Sequence, residues 1–146
     1  MCEKAGERLT SQEEVLFRQI NPGWLDEDGE PSSQAFYPWR TVDQGCLSAD
    51  RSSHTSAEQS FLLATALPPL GFGLDSVGVW GLSVAETDDL SLSAWSDPVP
   101  ASAEKPANAA HALIEFGDLP QKKWKNAGRT LKLRALARGR LHPPLA

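Results

Sequence analysis

The chain has 146 residues, 40% hydrophobic and 23% charged, with a formal net charge of −5, and one domain of that size buries roughly 70% of its unfolded surface, enough for a core. No apolar run approaches the roughly 20 residues of a membrane span, and the acidic N-terminal stretch does not read as a targeting peptide. Cys2 and Cys46, without a secretory signal segment or zinc-like spacing, give neither a disulfide framework nor a metal set, so a cytoplasmic protein without a membrane partner is expected.

Residues 1–12 are polar and aperiodic and read as a flexible N-terminal arm; residues 13–146 read as a single domain. Order is expected from Glu14 to Ile20, a strand with Leu16, Arg18 and Ile20 on one side and Val15, Phe17 and Gln19 on the other. Asn21-Pro22-Gly23 ends it. After an acidic turn at Asp26-Glu27-Asp28-Gly29, Ser33 to Tyr37 reads as a short strand stopped by Pro38, and Gly45 to Ala49 as a third. Ser52 to Gln59 reads as a helix start, because Thr55 with Glu58, or Ser56 with Gln59, has the three-residue offset of reciprocal capping. Pro68-Pro69 stops that helix. Ser76 to Val84, apolar on both faces, predicts a central strand, followed by an acidic turn at Glu86-Thr87-Asp88-Asp89. Leu90 to Trp95 reads as another strand, and His111 to Phe116 alternates with Ala112, Ile114 and Phe116 on one face. Gln121 to Arg138 places Trp124, Ala127, Leu131 and Ala135 at helical spacing, and Gly139 terminates it. The order predicts an α+β single domain, a mainly antiparallel or mixed sheet with two main helices at about 55–67 and 121–138.

Charge is unevenly divided along the chain. Residues 1–118 carry six basic against nineteen acidic side chains, formally −13, whereas residues 119–146 carry eight basic and no acidic ones. Lys122, Lys125, Arg129 and Lys132 share one side of the last helix, opposite Trp124 and Leu131. Such a face is solvated, docks on the acidic body, or meets an acidic protein; the acidic body repels phosphates and argues against a nucleic-acid partner. Five tryptophans is a high number, and Trp24, Trp39 and Trp95 lie beside Pro, Gly or Asp in loops, where such rings pack the loop or anchor an interface.

Arg18 interrupts the apolar side of the first strand and must snorkel to an edge, pair with a buried carboxylate, or line a pocket. Ser53, His54, Ser56 and Glu58 crowd the helix start, with Ser48 and Asp50 just upstream; capping accounts for most of them, and catalysis would need a base within about 3 Å of a nucleophile. His54, His111 and His142 have no metal-ligand spacing, and no cofactor is implied by these residues.

The segments Phe17-Arg18-Gln19-Ile20-Asn21-Pro22, Ser33 to Pro38, Asp43 to Ser48, Ser56-Ala57-Glu58, Ser76 to Trp80, Asp97-Pro98 and His111 to Ile114 together resemble a family of small uncharacterised bacterial proteins. The resemblance covers nearly the whole ordered chain and brings no activity with it. A second, weaker likeness is to the RES and ADP-ribosyltransferase-like toxins, which split NAD with an arginine on an early strand and an acidic residue at a later helix start. That likeness implies Arg18 and Glu58 in those roles, Ser33 or Tyr37 between them, and NAD as the consumed cofactor, although the glycine-rich segment typical of RES proteins is absent. The leading expectation is a protein of antitoxin, immunity or defence-accessory type that binds another protein; the alternative is the NAD-consuming enzyme.

Overall fold

The computed structural model describes residues 2–39 and 44–144; Asp43, one of the residues carrying the family resemblance, lies outside them. The alternating segments form strands β1 (Val15–Gln19), β2 (Cys46–Arg51), β3 (Val79–Ser83), β4 (Ser93–Ser96) and β5 (His111–Glu115). All pairings are antiparallel, in the order β3-β1-β2-β5-β4. Helices α1 (Ala57–Thr65), α2 (Val84–Asp88) and α3 (Trp124–Arg138) accompany the sheet, with α1 and α3 the two main ones. The fold is therefore α+β, in one domain.

Register fixes which side chains share a face. Leu16 pairs with Leu82, Leu47 with Ile114, Ala49 with Ala112 and Ala94 with Ile114, so these residues project from one side of the sheet together. All are buried, and α3 lays Ala127, Leu131 and Ala135 against them. Phe36 and Phe116 complete this core, both fully buried. Each such large side chain contributes roughly 1.5–3 kcal/mol through burial. Gly128 lets α3 come close to Tyr37, because a Cβ there would lie 2.6 Å from Tyr37 Cδ1.

Helix ends follow the sequence signals. Ser56 Oγ accepts from the Gln59 N–H at 3.1 Å to start α1, and α1 is capped by Ala66 before the two prolines. Gly139, with φ of 88°, ends α3 by donating its N–H to the Ala135 and Leu136 carbonyls.

Several expectations are corrected. Ser33–Phe36 is a turn of 3-10 helix, because Ala35 and Phe36 are adjacent and both buried, whereas a strand would send them to opposite faces. The acidic turn after β3 is α2, started by a capping box in which Ser83 Oγ accepts from Glu86 N and the Glu86 carboxylate accepts from Ser83 N. β3 is an edge strand, not a central one. Its apolar faces are still covered, and its outer edge is paired by the chain after α3: Val79 N donates to His142 O at 2.7 Å and Leu141 N to Val79 O at 2.8 Å.

The segment expected to be a flexible arm is laid along β4. Leu9 is buried and donates its N–H to Ala94 O at 2.8 Å, while Ser96 N donates to Glu7 O at 2.9 Å. Both sheet edges are thus blocked by chain from near the two ends of the sequence, which removes the open hydrogen-bonding rows that invite edge-to-edge association. Cys2 and Cys46, expected to be unpaired, form a disulfide across 44 residues of sequence. Among the described residues no helix is long and apolar enough to cross a membrane.

Candidate functional site

The second face of the sheet carries Phe17, Gln19, Ser48, Asp50, His111 and Leu113, as the alternation and register require. β1 and β2 pair only at Leu16 with Arg51 and Phe17 with Asp50. Beyond that point β1 continues with β3 and β2 with β5, so the sheet splays. α1 covers the β1 side of this face, and the connection after it folds back on the helix: Phe72 N donates to Leu63 O, Gly73 N to Ala66 O and Leu74 N to Ala64 O, at 2.8–2.9 Å. Between the connection and the sheet lies a cleft of about 580 Å3, with Leu63, Phe72, Leu74 and Leu113 among its apolar walls. That volume falls within the usual range for ligand-sized cavities, about 300–1,000 Å3.

A hydrogen-bonded chain runs through the floor. Ser76 Oγ donates to Gln19 Oε1 at 2.8 Å, Gln19 Nε2 to Ser60 Oγ at 2.9 Å, Ser60 Oγ to Asp50 Oδ2 at 2.6 Å, and Asn108 Nδ2 to Asp50 Oδ1 at 2.9 Å. Asp50 and Ser60 are buried, so these bonds offset the cost of removing polar groups from water and fix α1 on the sheet. Beside Asp50, His111 Nδ1 lies 2.9 Å from Asp97 Oδ2 and 3.0 Å from Asp97 O. Both neighbours accept, so Nδ1 carries the proton, and a neutral ring presents Nε2 as an acceptor.

The candidates singled out from the sequence separate into distinct places. Arg18 does line the cleft. Its Nε donates to Ala35 O at 2.9 Å and its Nη1 to Ser48 O at 3.0 Å, so the guanidinium bridges the splay between β1 and β2. It also lies 4.9 Å over the Trp24 ring, which lines the cleft too. Glu58 is exposed on the first turn of α1 and is not part of the cleft lining. Ser33 and Tyr37 belong to the opposite side, where Tyr37 packs on α3 at Gly128. His54 Nδ1 lies 2.7 Å from Ser53 Oγ, but the Ser53 hydroxyl donates to Glu14, whose carboxylate is also held by Arg51. The structure therefore does not gather Arg18, Glu58, Ser33, Tyr37 and His54 into one site.

Two carboxyls are displaced from their ordinary values. Burial pushes the Glu14 carboxyl up, but hydrogen bonds from Arg51 and Ser53, with the Arg51 charge, outweigh it and leave Glu14 below its usual 4.5. Glu86 is held low likewise: burial opposes, and Arg138 with the Ser83 N–H and hydroxyl prevails. Arg138 Nη1 donates to Glu86 Oε1 and Gly81 O, each at 2.8 Å, so one end of the basic helix docks on the acidic body. Lys122, Lys125 and Arg129 face solvent and Lys132 is half-buried. Trp39 is exposed, while Trp95 is half-buried, with Nε1 donating to Ser93 Oγ and Lys4 Nζ 4.8 Å above its ring.

Sequence reading missed the exposed leucines around the connection after α1, of which Leu74 lines the cleft. Leu62, Leu67, Leu70 and Leu74 are 48%, 77%, 80% and 55% exposed, all on α1 and the connection that follows it. A run of leucines among Pro68, Pro69, Gly71 and Gly73 was the available signal, but it has neither helical nor strand period. Asp50, Asn108 and His111 were likewise hidden, since they come together only through register. Among the described residues no group of three or more His, Cys, Asp or Glu side chains is placed to hold a metal ion. Compared with models of known families, with curated proteins and with solved structures, the chain matches none.

Proposed function

We propose that this protein acts by binding another protein, which covers the leucine-bearing connection after α1 and reaches into the cleft behind it. The observation that carries this reading is the exposure of Leu62, Leu67, Leu70 and Leu74 on a segment fixed by backbone hydrogen bonds. Folding leaves large apolar side chains outward in a cluster mainly where a partner covers them. The segment is held in place before binding, so little ordering entropy opposes association. Antitoxin, immunity or defence-accessory action is one form such binding takes. A cytoplasmic setting belongs to the same proposal, and the Cys2–Cys46 disulfide is the feature that sits least easily with it, since reducing compartments keep thiols free.

The test is capture of a partner from the native host with the wild-type chain and with Leu67→Asp/Leu70→Asp, alongside sedimentation of the purified protein. Expected is one protein retained by the wild type and lost by the variant, with the variant's melting temperature unchanged. Equal retention by both chains would overturn the reading. So would leucine-dependent self-association alone, which would make a second copy the occupant.

A further inference from the structure

We propose that the Cys2–Cys46 disulfide is a redox latch that holds residues 2–4 across one end of the cleft. The inference rests on the cleft being the binding site described above, and it concerns that site's regulation. Both cysteines line the cleft, so the bond stands in its wall; Cys46 is buried and Cys2 half-buried, which makes Cys2 Sγ the sulfur a small reductant meets. Cys46 begins β2 opposite Glu115 of β5, and Lys4 Nζ lies 2.5 Å from Glu115 Oε2 and over the Trp95 ring on β4. Residues 2–4 therefore cross the open face of β2, β5 and β4 as a strap. From Ala5 onward the chain is fastened separately: Ala5 N donates to Asp97 Oδ1 at 2.7 Å, Glu7 N to Ser96 Oγ at 2.9 Å and Leu9 N to Ala94 O at 2.8 Å. Gly6 packs so closely that a Cβ would lie 2.0 Å from Ser96 Oγ. Breaking the disulfide frees the strap without unzipping the arm.

The reductant is a dithiol. Its thiolate attacks Cys2 Sγ, the S–S bond breaks, and Cys46 leaves as a thiolate that takes up a proton. The reductant's second thiol then displaces Cys2 from the mixed disulfide, so the protein gains two electrons and two protons and the dithiol becomes a disulfide. Lys4 then keeps only its ion pair and its contact with Trp95, and opening of the strap uncovers Leu113, Cys46 and the Trp95 ring. The cleft lengthens across β5 and β4, toward the sheet edge away from α1.

Trypsin cleavage after Lys4 reads the latch without any partner. In the air-oxidised protein the bond is protected; with dithiothreitol, cleavage is expected to quicken on the order of 10-fold, as for a segment that opens locally while the domain stays folded. Fluorescence of the apolar dye 1-anilinonaphthalene-8-sulfonate should rise together with it. Cys2→Ser should behave as the reduced form with or without dithiothreitol, at a melting temperature equal to that of the reduced wild type. Equal cleavage rates in the oxidised and reduced protein, or a protected Cys2→Ser chain, would overturn the latch. Loss of partner capture with these readouts intact would instead count against the binding reading alone.

Discussion

Removing the Glu14 carboxylate tests how the start of β1 is tied to the end of β2. Its side chain is 4% exposed and that of its partner Arg51 20%. Arg51 Nε lies 3.1 Å and 3.3 Å from the two carboxylate oxygens, Nη2 lies 3.1 Å from Oε1, and the Ser53 N–H and hydroxyl donate to Oε2. Truncating one member of a buried ion pair costs about 3–5 kcal/mol, because the other charge stays desolvated. Arg51 keeps some water contact, so Glu14→Ala should fall at the low end, about 3 kcal/mol, and Glu14→Gln, which retains shape and one acceptor, at about 2 kcal/mol. The pH dependence carries its own sign. Glu14 titrates lower in the folded chain than its ordinary 4.5, so its contribution is fully present above the unfolded value and is lost as pH falls through the folded one. Glu86 acts in the same window but is common to both chains. The stability difference between wild type and Glu14→Gln, from urea unfolding at pH 7, 5, 4 and 3, should therefore hold steady down to about pH 5 and shrink below it, as a protonated glutamic acid comes to resemble glutamine. A difference that is flat down to pH 3, or under about 1 kcal/mol at pH 7, would refute the account.

Further substitutions probe α3 and the 3-10 turn that leads into it. Gly128→Ala gains about 1 kcal/mol of helix propensity, but the new methyl meets Tyr37 Cδ1 at 2.6 Å and Tyr37 Cβ at 3.0 Å; overpacking of about 1–3 kcal/mol should win, so a variant as stable as wild type in urea would show that Tyr37 can move aside. Replacing Lys122, Lys125 and Arg129 by Gln removes charges that face solvent and should change stability by no more than about 0.5 kcal/mol for each position, whereas Arg138→Ala, which leaves the mostly buried Glu86 carboxylate only its more distant partner Arg134 and the Ser83 N–H, should cost more than all three, by the same unfolding assay.

What the sequence made legible was periodic. His111 to Phe116 alternates, and Ala112, Ile114 and Phe116 are fully buried; Ala127, Leu131 and Ala135 recur at helical spacing and are, with Gly128, the residues α3 buries. Arg18 between Leu16 and Ile20 announced a conflict that could be resolved only by an edge, a carboxylate or a pocket, and it lines the cleft while spanning a break in the ladder. What stayed hidden depends on long-range pairing. Nothing local says that Asp50 stands opposite His111, or that Cys2 reaches Cys46. The arm at residues 5–9 is polar because it covers an edge, and an edge needs backbone groups more than apolar side chains. β3 read as central because both its faces are apolar, but that pattern reports covered faces, not paired edges.

The two faces of the sheet differ in what covers them. One face is filled by α3 and the 3-10 turn at Ser33–Phe36. On the other, α1 reaches β1, while Ser48 on β2 stays exposed and Asp50 satisfies its oxygens through Ser60 and Asn108. A floor with its polar groups already bonded can remain wet in the free protein without an unfolding penalty. The exposed apolar atoms lie instead in the connection after α1, where Pro68 and Pro69 follow the end of the helix: Leu67 and Leu70 stand outside the cleft and Leu74 lines it. Leu67 and Leu70, the most exposed of these leucines, are therefore large apolar side chains that the described residues leave uncovered.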